Sequence, residues 1–260
     1  MVQDGEFKRG WPVLAAAAVG VGLGLSPLPF YTIGVMIPPL LGEFGPSGWD
    51  QGFIINALAI YTFGAFAASP IIGIIAERYG ARRVALISIV TFGLAMMGLA
   101  LNTGSKSLYI ALWLVLVFAC AGTLPITFTR PVAYLFNVSR GIALGIALIA
   151  TGIFGALAKF GSQYIVSTES LHFIGGSGWR SAYVLLGLLP IVIALPLSYL
   201  SLRDVNDEPA NEASIVNMKF PLLAISLIGT IGLVTIVISQ VMPIISQNGI
   251  RLEYAMAFVF

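Results

Sequence analysis

Charged side chains are scarce in this sequence. Asp, Glu, Lys and Arg together make up 9% of its 260 residues, against roughly 25% in an ordinary soluble protein. So few charges cannot cover the surface of a globular protein of this size. The 13 basic and 11 acidic residues nearly balance, at a net charge of +2. This balance excludes a nucleic-acid binder that works by bulk positive charge, so we expect no nucleic-acid partner.

Cysteine and histidine are almost absent. The lone Cys120 excludes a disulfide framework and a zinc–cysteine cluster. The lone His172 excludes the multi-histidine sites of membrane di-iron enzymes. Because the sequence shows neither a nucleophile–base pair nor a metal cluster, we predict that the protein is not an enzyme and uses no metal or other cofactor.

Long apolar runs account for most of the chain. Hydrophobic residues make up 58% of the sequence, and a membrane helix needs about 20 consecutive apolar residues. The chain reaches Phe260 one or two turns into an eighth run, so we expect it to continue beyond that residue. We predict an all-α integral membrane protein embedded in a lipid bilayer. Its first seven spans are at residues 13–41, 52–76, 84–101, 108–137, 141–166, 181–202 and 220–246.

Basic residues indicate the orientation, because they collect in short cytoplasmic loops. With the N-terminus inside, the cytoplasmic side carries Lys8, Arg9, Arg78, Arg82, Arg83, Arg140, Arg203 and Lys219, and the external side carries Lys106, Arg180 and Arg251. We therefore predict a multi-pass protein of the cell inner (plasma) membrane with a cytoplasmic N-terminus. The polar stretch 203–219 is the best domain boundary. It separates a six-helix bundle, residues 1–202, from span seven and the start of span eight, residues 220–260.

The turn between spans two and three reads Gly73-Ile-Ile-Ala-Glu77-Arg78-Tyr-Gly80-Ala-Arg82-Arg83. Gly73 allows a neighbouring helix backbone to approach closely, and Gly80 allows a tight reversal of the chain. Glu77 is a carboxylate that can accept charge-assisted hydrogen bonds from nearby arginines. The alternative is that the three arginines of the turn only set the topology.

This turn resembles the loop signature of the major facilitator superfamily, Gly-x-x-x-Asp-Arg-x-Gly-Arg-Arg, with Glu77 in place of the usual Asp. Further stretches are similar to bacterial carriers that resemble monocarboxylate transporters and oxalate/formate antiporters. These stretches are residues 30–35, Gly48-Trp49, 134–136 with Arg140-Gly141, and Gly178-Trp179-Arg180.

The resemblance implies a helical bundle of twelve spans in two six-helix halves. Each half would be a pair of inverted three-helix repeats, with substrate bound at the midplane between the halves. The chain would then contain the first half, the central loop and the start of the second half. The resemblance also implies a cytoplasmic latch that breaks and reforms as the halves rock. Its residues would be Gly73, Glu77, Arg78, Gly80, Arg82, Arg83 and Arg140.

Two charged residues lie inside predicted spans, where charge is costly and indicates function by default. Arg130 lies ten residues before Arg140, hence ~15 Å deep at ~1.5 Å per residue. It could bind a substrate carboxylate through its planar fork or pair with Glu77 in the latch, and the sequence leaves both roles open. Lys159 lies ~27 Å along span five. It either reaches the external surface or takes part in anion entry or binding.

Three polar residues, Tyr31, Asn56 and Tyr61, are expected to face a substrate cavity, although each could instead make a helix–helix hydrogen bond. Tyr31 stands near the position where monocarboxylate carriers use a lysine in span one. Pro27 and Pro29 are expected to bend span one, either as part of a cavity wall or as a tolerated kink.

Small residues are expected where helices pack closely. Span one offers Gly20 and Gly24 at a four-residue spacing. Span five offers one face of small residues, namely Gly141, Gly145, Gly152 and Ala156. We expect both sets to lie in tight helix contacts.

We predict a secondary active transporter that moves a small organic anion, in particular a carboxylate, by alternating access. It would be coupled to protons or to a counter-anion and would act as a monomer when full length. The alternative is an exporter of neutral or cationic small molecules on the same fold. Such exporters often carry an arginine early in span four, and the matching stretch 118–122 has none. Spans rich in Gly and Pro, together with the latch, favour a rocking carrier over a static pore.

Overall fold

The computed structural model of the protein describes residues 2–202. The predicted central loop, span seven and the start of span eight lie outside the described residues, as do Arg203, Lys219 and Arg251. Every regular element of the described part is helical. The α-helices are α1 Val2–Gly22, α2 Leu28–Phe44, α3 Gln51–Tyr79, α4 Ala81–Leu99, α5 Lys106–Ala119, α6 Pro125–Leu135, α7 Arg140–Ser167, α8 Gly178–Leu189 and α9 Leu195–Ser201.

The described helices follow the apolar runs of the sequence. Helices α3, α4 and α7 correspond to spans two, three and five, and they begin and end within about three residues of the predicted limits. These three helices, and the segment Gly178–Ser201 that corresponds to span six, are long and apolar enough to cross a membrane. The prediction of an all-α membrane bundle is confirmed.

Span one is interrupted near its middle. Helix α1 ends at Gly22 and α2 begins at Leu28, with Pro29 in its first turn. Proline fits this position because the first turn of a helix needs no backbone N–H donor. A bend was predicted at Pro27 and Pro29; the structure instead ends one helix and begins another here, so span one is not a single helix over 13–41.

Span four is interrupted as well, so the prediction of one continuous run over 108–137 is wrong. Helix α5 ends at Ala119, a short 3-10 turn follows, and α6 begins at Pro125. Leu124 has an extended backbone, with φ −65° and ψ 153°. The ring of a proline disfavours helical geometry in the residue before it, which explains why the helix breaks here.

Close packing in the bundle depends on glycine only in some of the predicted places. A side chain at Gly20 would collide with Phe128, and one at Gly24 would lie 2.7 Å from the carbonyl oxygen of Thr123. The tight contacts predicted for these two glycines are confirmed. Within the described residues, the predicted glycine face of α7 has open space around it. The buried face of α7 instead consists of Ala143, Ala147, Ala150, Gly155, Ala158 and Ser162, because alanine and serine are also small enough for close helix approach.

Candidate functional site

The turn between α3 and α4 consists of one residue, Gly80. Its φ of +90° is in the region that favours glycine, and the residue closes α3 and opens α4. The tight reversal predicted for Gly80 is therefore observed. This geometry places Glu77 and Arg78 at the end of α3, close in sequence to Arg82 and Arg83 in the first turn of α4.

Arg130 of α6 reaches across to the end of α3. Its Nη2 atom lies 3.8 Å from Oε1 of Glu77, and its Nη1 donates a hydrogen bond of 3.3 Å to the carbonyl oxygen of Gly73. Three predicted site residues, Gly73, Glu77 and Arg130, thus lie together. The Glu77 side chain is 62% exposed, against 32% for Arg130, so this is a loose pair near the surface rather than a buried one.

The depth of ~15 Å predicted for Arg130 assumed a helix that continues to Arg140. This assumption is wrong, because α6 ends at Leu135 and residues 136–139 are not helical. Arg130 is five residues from the helix end, or ~7.5 Å at ~1.5 Å per residue. The depth of Arg130 in the membrane stays a prediction.

The other arginines of the proposed latch lie against other residues or are exposed. Arg82 donates a hydrogen bond of 2.7 Å from Nη2 to the carbonyl oxygen of Tyr199 in α9, and its guanidinium lies 5.0 Å from the Tyr199 ring centre. Arg78 lies 5.7 Å from the ring of its neighbour Tyr79. Arg83 and Arg140 are exposed. The structure thus brings Arg130, rather than Arg82, to Glu77.

The two helix interruptions meet inside the bundle. The backbone N–H of Leu25 donates a hydrogen bond of 2.9 Å to the hydroxyl oxygen of Thr123, which itself donates to the carbonyl oxygen of Cys120. The Tyr61 hydroxyl donates a hydrogen bond of 2.7 Å to the carbonyl oxygen of Leu25. Where the helices are interrupted, backbone N–H and C=O groups lose their helical hydrogen-bond partners. Side chains take the place of those partners here, as an apolar environment requires.

This crossing accounts for the position of Tyr61, one of the predicted site residues. The interruption of span four, which forms part of the crossing, was not predicted from the sequence. Tyr61 is buried and makes a helix–helix hydrogen bond, which is the alternative that the sequence left open. The signal for the second interruption was the sequence Gly122-Thr123-Leu124-Pro125. Glycine and proline three residues apart weaken a helix more than either does alone.

The remaining predicted substrate residues lie elsewhere on the bundle. Tyr31 of α2 is half-buried, with its ring against Gly155 of α7. Lys159 is half-buried and follows Gly155 by four residues, so it lies on the same helix face one turn further along. Asn56 of α3 is exposed. Tyr31 thus packs on the α7 face that also carries Lys159, one turn away.

A polar network at the opposite end of the bundle was not found from the sequence. Glu43, at the end of α2, binds Arg180 of α8 through both carboxylate oxygens, at 2.6 and 3.1 Å. It also accepts hydrogen bonds from Trp179 Nε1 at 2.8 Å and from Ser177 at 3.2 Å. Arg180 donates further to the carbonyl oxygen of Asn102, just beyond α4. The network joins spans one, three and six.

The pKa of Glu43 reflects this network. Burial alone would raise the pKa, but the hydrogen bonds from Arg180, Trp179 and Ser177 and the Arg180 charge together lower it below its ordinary value. The carboxylate is therefore ionised at neutral pH. The sequence signal that could have identified this network was the Gly178-Trp179-Arg180 stretch, which had served only as a mark of resemblance.

Glu6 makes a second contact that was not predicted. Its carboxylate accepts hydrogen bonds from the backbone N–H groups of Asn137, Val138 and Ser139, at 3.0 to 3.3 Å. These residues precede α7, whose N-terminus favours negative charge. The backbone hydrogen bonds from Ser139 and Val138 lower the pKa of Glu6. Phe7 packs edge-on against Phe136, with ring centres 5.1 Å apart. The N-terminal segment is thereby fixed to the loop between spans four and five.

Comparison with known proteins agrees with this architecture. The sequence pattern of the Major Facilitator Superfamily matches residues 19–260. Monocarboxylate transporter 11 of mouse is 33% identical over 189 residues, which cover 70% of this chain and 38% of the mouse protein. The human protein of the same name is 33% identical over 189 residues, covering 70% of this chain and 36% of the human one.

The chain spans little more than a third of the length of the curated relatives it matches. The similarity to monocarboxylate transporters, predicted from the loop signature and from the stretches near Trp49 and Trp179, is confirmed. Among the described residues, no group of three or more His, Cys, Asp and Glu side chains is placed to hold a metal ion. The family consists of transporters rather than enzymes. On the match over residues 19–260, the chain belongs to the Major Facilitator Superfamily.

Proposed function

We propose that the protein is a secondary active transporter that moves a small organic anion of the carboxylate class by alternating access. Its transport would be coupled to protons or to a counter-anion. Residues 1–202 would form the first six-helix half, 203–219 the central loop, and 220–260 the start of the second half. Family membership and the similarity to monocarboxylate transporters support this proposal.

The observation that carries the alternating-access mechanism is the pair formed by Glu77 and Arg130. An exposed ion pair contributes only about 0–1 kcal/mol, so it can break and reform without a large barrier. The 3.8 Å distance and the 62% exposure of the Glu77 side chain fit such a pair. A latch that opened in each transport cycle would need this weakness, whereas a purely structural contact would benefit from a closer geometry.

The sign of the charges within the spans supports an anionic substrate. The six spans of the first half contain Arg130 and Lys159 but no Asp or Glu. A carboxylate would be attracted by these two positive charges, and a cationic drug would be repelled by them.

The proposed roles of individual residues follow from their places in the structure. Tyr31, Asn56 and Lys159 are proposed to contact substrate, and the hydroxyl of Tyr61 is proposed to hold the interruption of span one in shape beside the substrate path. Arg130 is proposed to act in the latch, since it contacts Glu77; binding of a substrate carboxylate remains its alternative role. The latch would comprise Gly73, Glu77, Arg78, Gly80, Arg82, Arg83 and Arg140.

The distribution of basic residues supports the proposed orientation. Glu6 joins the N-terminal segment to the loop before α7, and Arg82 joins the α3–α4 turn to α9. Most of the basic residues of the described part lie near these two contacts, at the same end of the bundle. We therefore propose that this is the cytoplasmic side, in the inner (plasma) membrane, with Glu43 and Arg180 at the external side. We propose a monomer as the active form.

The experiment that tests the proposal is uptake by the whole protein in lipid vesicles. Labelled monocarboxylates, a neutral sugar and a quaternary ammonium compound are supplied with and without a pH gradient. We expect carboxylate uptake above that of empty vesicles and above that of the other two solutes. Transport of the ammonium compound alone would instead support the exporter alternative.

A further inference from the structure

An apolar groove lies between α4 and the last part of span six. Its volume is about 710 Å³. One wall contains Ile87, Val90 and Thr91 of α4, and the other contains Leu195, Pro196 and Tyr199 of α9. Because α4 and the span-six helices are long and apolar, this groove opens towards the lipid rather than towards water. None of the residues that line it belongs to the proposed substrate or latch set.

The helices that form the groove touch at one end and separate towards the other. Gly93 of α4 and Gly187 of α8 are in backbone contact, because a side chain at either position would collide with the other residue's carbonyl oxygen. Beyond this contact, span six has a π-helical turn at Pro190–Ala194, where the backbone widens. Beyond this turn the described residues of the two helices leave a groove between them.

Basic residues stand at the open end of the groove. Arg82 lies over the Tyr199 ring and donates from Nη2 to the Tyr199 carbonyl oxygen. Its Nε atom is shielded and makes no hydrogen bond within the described part of the chain, and the next residue, Arg83, is exposed. The mouth of an apolar groove therefore carries two adjacent positive charges.

The length of the groove corresponds to one leaflet of a bilayer. Nine residues separate Arg82 from Thr91, hence ~14 Å along α4 at ~1.5 Å per residue. The hydrocarbon core of a bilayer is about 30 Å thick, so each leaflet contributes about half of that distance. An amphiphile with its headgroup beside Arg82 would thus have one acyl chain lying along the groove to the bilayer midplane.

We infer that this groove is a binding site for an anionic phospholipid of the leaflet on the Arg82 side. The phosphodiester contacts Arg82 and Arg83, and one acyl chain occupies the groove between α4 and α9. The guanidinium groups can bind the phosphodiester of either lipid class through charge-assisted hydrogen bonds. The charge at the mouth favours an anionic headgroup over a zwitterionic one, because the zwitterionic headgroup adds a cationic group that the two arginines repel. A free phosphate ion would make no use of the apolar walls. The site connects the lipid to the α3–α4 turn.

Native mass spectrometry of the delipidated whole protein tests the headgroup part of this inference. Phosphatidylglycerol and phosphatidylcholine with identical acyl chains are titrated separately. We expect phosphatidylglycerol to bind about five-fold more tightly, because only phosphatidylcholine carries a cationic group that the two arginines repel. Arg82→Gln should remove the preference. Arg78→Gln is the matched control, because Arg78 belongs to the same turn but lies on α3, and it should keep the preference.

Variants within the groove test the acyl-chain part. Val90→Trp and Leu195→Trp fill the groove from opposite walls and should each reduce the binding of both lipids at least ten-fold. Leu94→Trp is the control, because Leu94 is an exposed residue of α4 one turn beyond Val90 and does not line the groove. Two alternative variants keep the test valid if one does not fold. Unchanged lipid binding in a folded groove variant, an unchanged preference in Arg82→Gln, or equal displacement of the lipid by inorganic phosphate would overturn the inference.

Discussion

At the scale of single residues, Arg130 is the side chain whose role matters most for the mechanism. Its contacts with Glu77 and Gly73 tie α6 to the end of α3. A latch residue affects the rate at which the carrier changes conformation, whereas a binding residue affects the affinity for substrate. The two roles are therefore separable by kinetics, since a change in affinity and a change in turnover report different steps.

We expect Arg130→Gln to lower the turnover of transport several-fold and to leave the apparent affinity for substrate within about two-fold. Glu77→Gln should have the same effect, because it removes the other member of the pair. The measurement is initial uptake rate against carboxylate concentration for each variant in vesicles.

The exchanged pair, Glu77→Arg with Arg130→Glu, is the matched control and should recover part of the turnover. If Arg130→Gln instead weakens the apparent affinity ten- to hundred-fold, as expected for the loss of about 1.5–3 kcal/mol of charge-assisted binding, then Arg130 binds substrate. Unchanged affinity and turnover would exclude both roles.

Glu43 provides a prediction on pH. Its pKa is lowered in the folded protein, so its contribution to stability is present above the unfolded-state value and is lost as the pH falls through the lowered folded value. We expect Glu43→Gln to reduce thermal stability at pH 7 by a few degrees, and the difference from the original protein to shrink below about pH 4.5, near the ordinary glutamate value. Melting curves between pH 3.5 and 7 measure this difference.

Asp50→Asn is the control for a simple loss of negative charge on the same side. Asp50 caps α3 by accepting a hydrogen bond of 2.6 Å from the Phe53 backbone N–H, and asparagine is an equally good capping residue. If the melting temperatures of Glu43→Gln and the original protein differed by the same amount at every pH, this would contradict the role assigned to the ionised carboxylate.

The sequence identified the charged residues of the latch but not their geometry. Glu77 and Arg130 stood out because charge is rare in the spans, and pairing between them was one of two open roles. The helix that carries Arg130 was predicted to continue to Arg140, whereas residues 136–139 are not helical. Glu6 and Glu43 were overlooked, since acidic residues at span ends are common and only the folded chain shows which donors surround them.

At the scale of helices, the crossing of the two interrupted spans is the main organising feature. Leu25 and Thr123 join the interruptions directly, and both lie fully buried. Removal of a buried hydrogen-bond acceptor leaves its donor unsatisfied, at a cost of about 1–3 kcal/mol. The crossing therefore fixes the relative positions of spans one and four.

We expect Thr123→Val to lower the free energy of unfolding by about 1–3 kcal/mol, because valine has the shape of threonine without the hydroxyl that accepts from Leu25. Thr127→Val is the matched control, only one turn away. The Thr127 hydroxyl is buried but makes no hydrogen bond within the described residues, so its removal should be neutral or slightly stabilising. Chemical denaturation in detergent measures both variants. An equal change in the free energy of unfolding for both variants would show that the Leu25–Thr123 hydrogen bond does not stabilise the fold.

Apolar runs alone predicted the helices well, and the local interruptions only in part. Spans two, three and five ended within about three residues of the predicted limits because the runs are bounded by charged or turn-forming residues. In span one, two prolines close together predicted a bend where the structure has an interruption. In span four, Pro125 and Pro131 were read as part of a continuous run, because hydropathy does not report on backbone hydrogen bonds.

At the scale of the whole molecule, the described half is braced in three places. Glu43 and Arg180 join spans one and six at one end, the Leu25–Thr123 hydrogen bond joins spans one and four in the middle, and Glu6 joins the N-terminal segment to the start of α7 at the other end. A half braced in this way would move as a rigid body. The Glu77–Arg130 pair is looser than these contacts, as expected for the part that changes during transport.

The central claim is that the protein carries a carboxylate by alternating access, and trans-acceleration tests it most directly. Vesicles that contain the whole protein are loaded with an unlabelled monocarboxylate, and entry of the labelled compound is compared with entry into unloaded vesicles. An alternating-access carrier returns faster when it is loaded, so we predict a several-fold increase in the initial rate and a smaller increase for Glu77→Gln. Entry that is insensitive to internal substrate, as through a pore, would contradict the account.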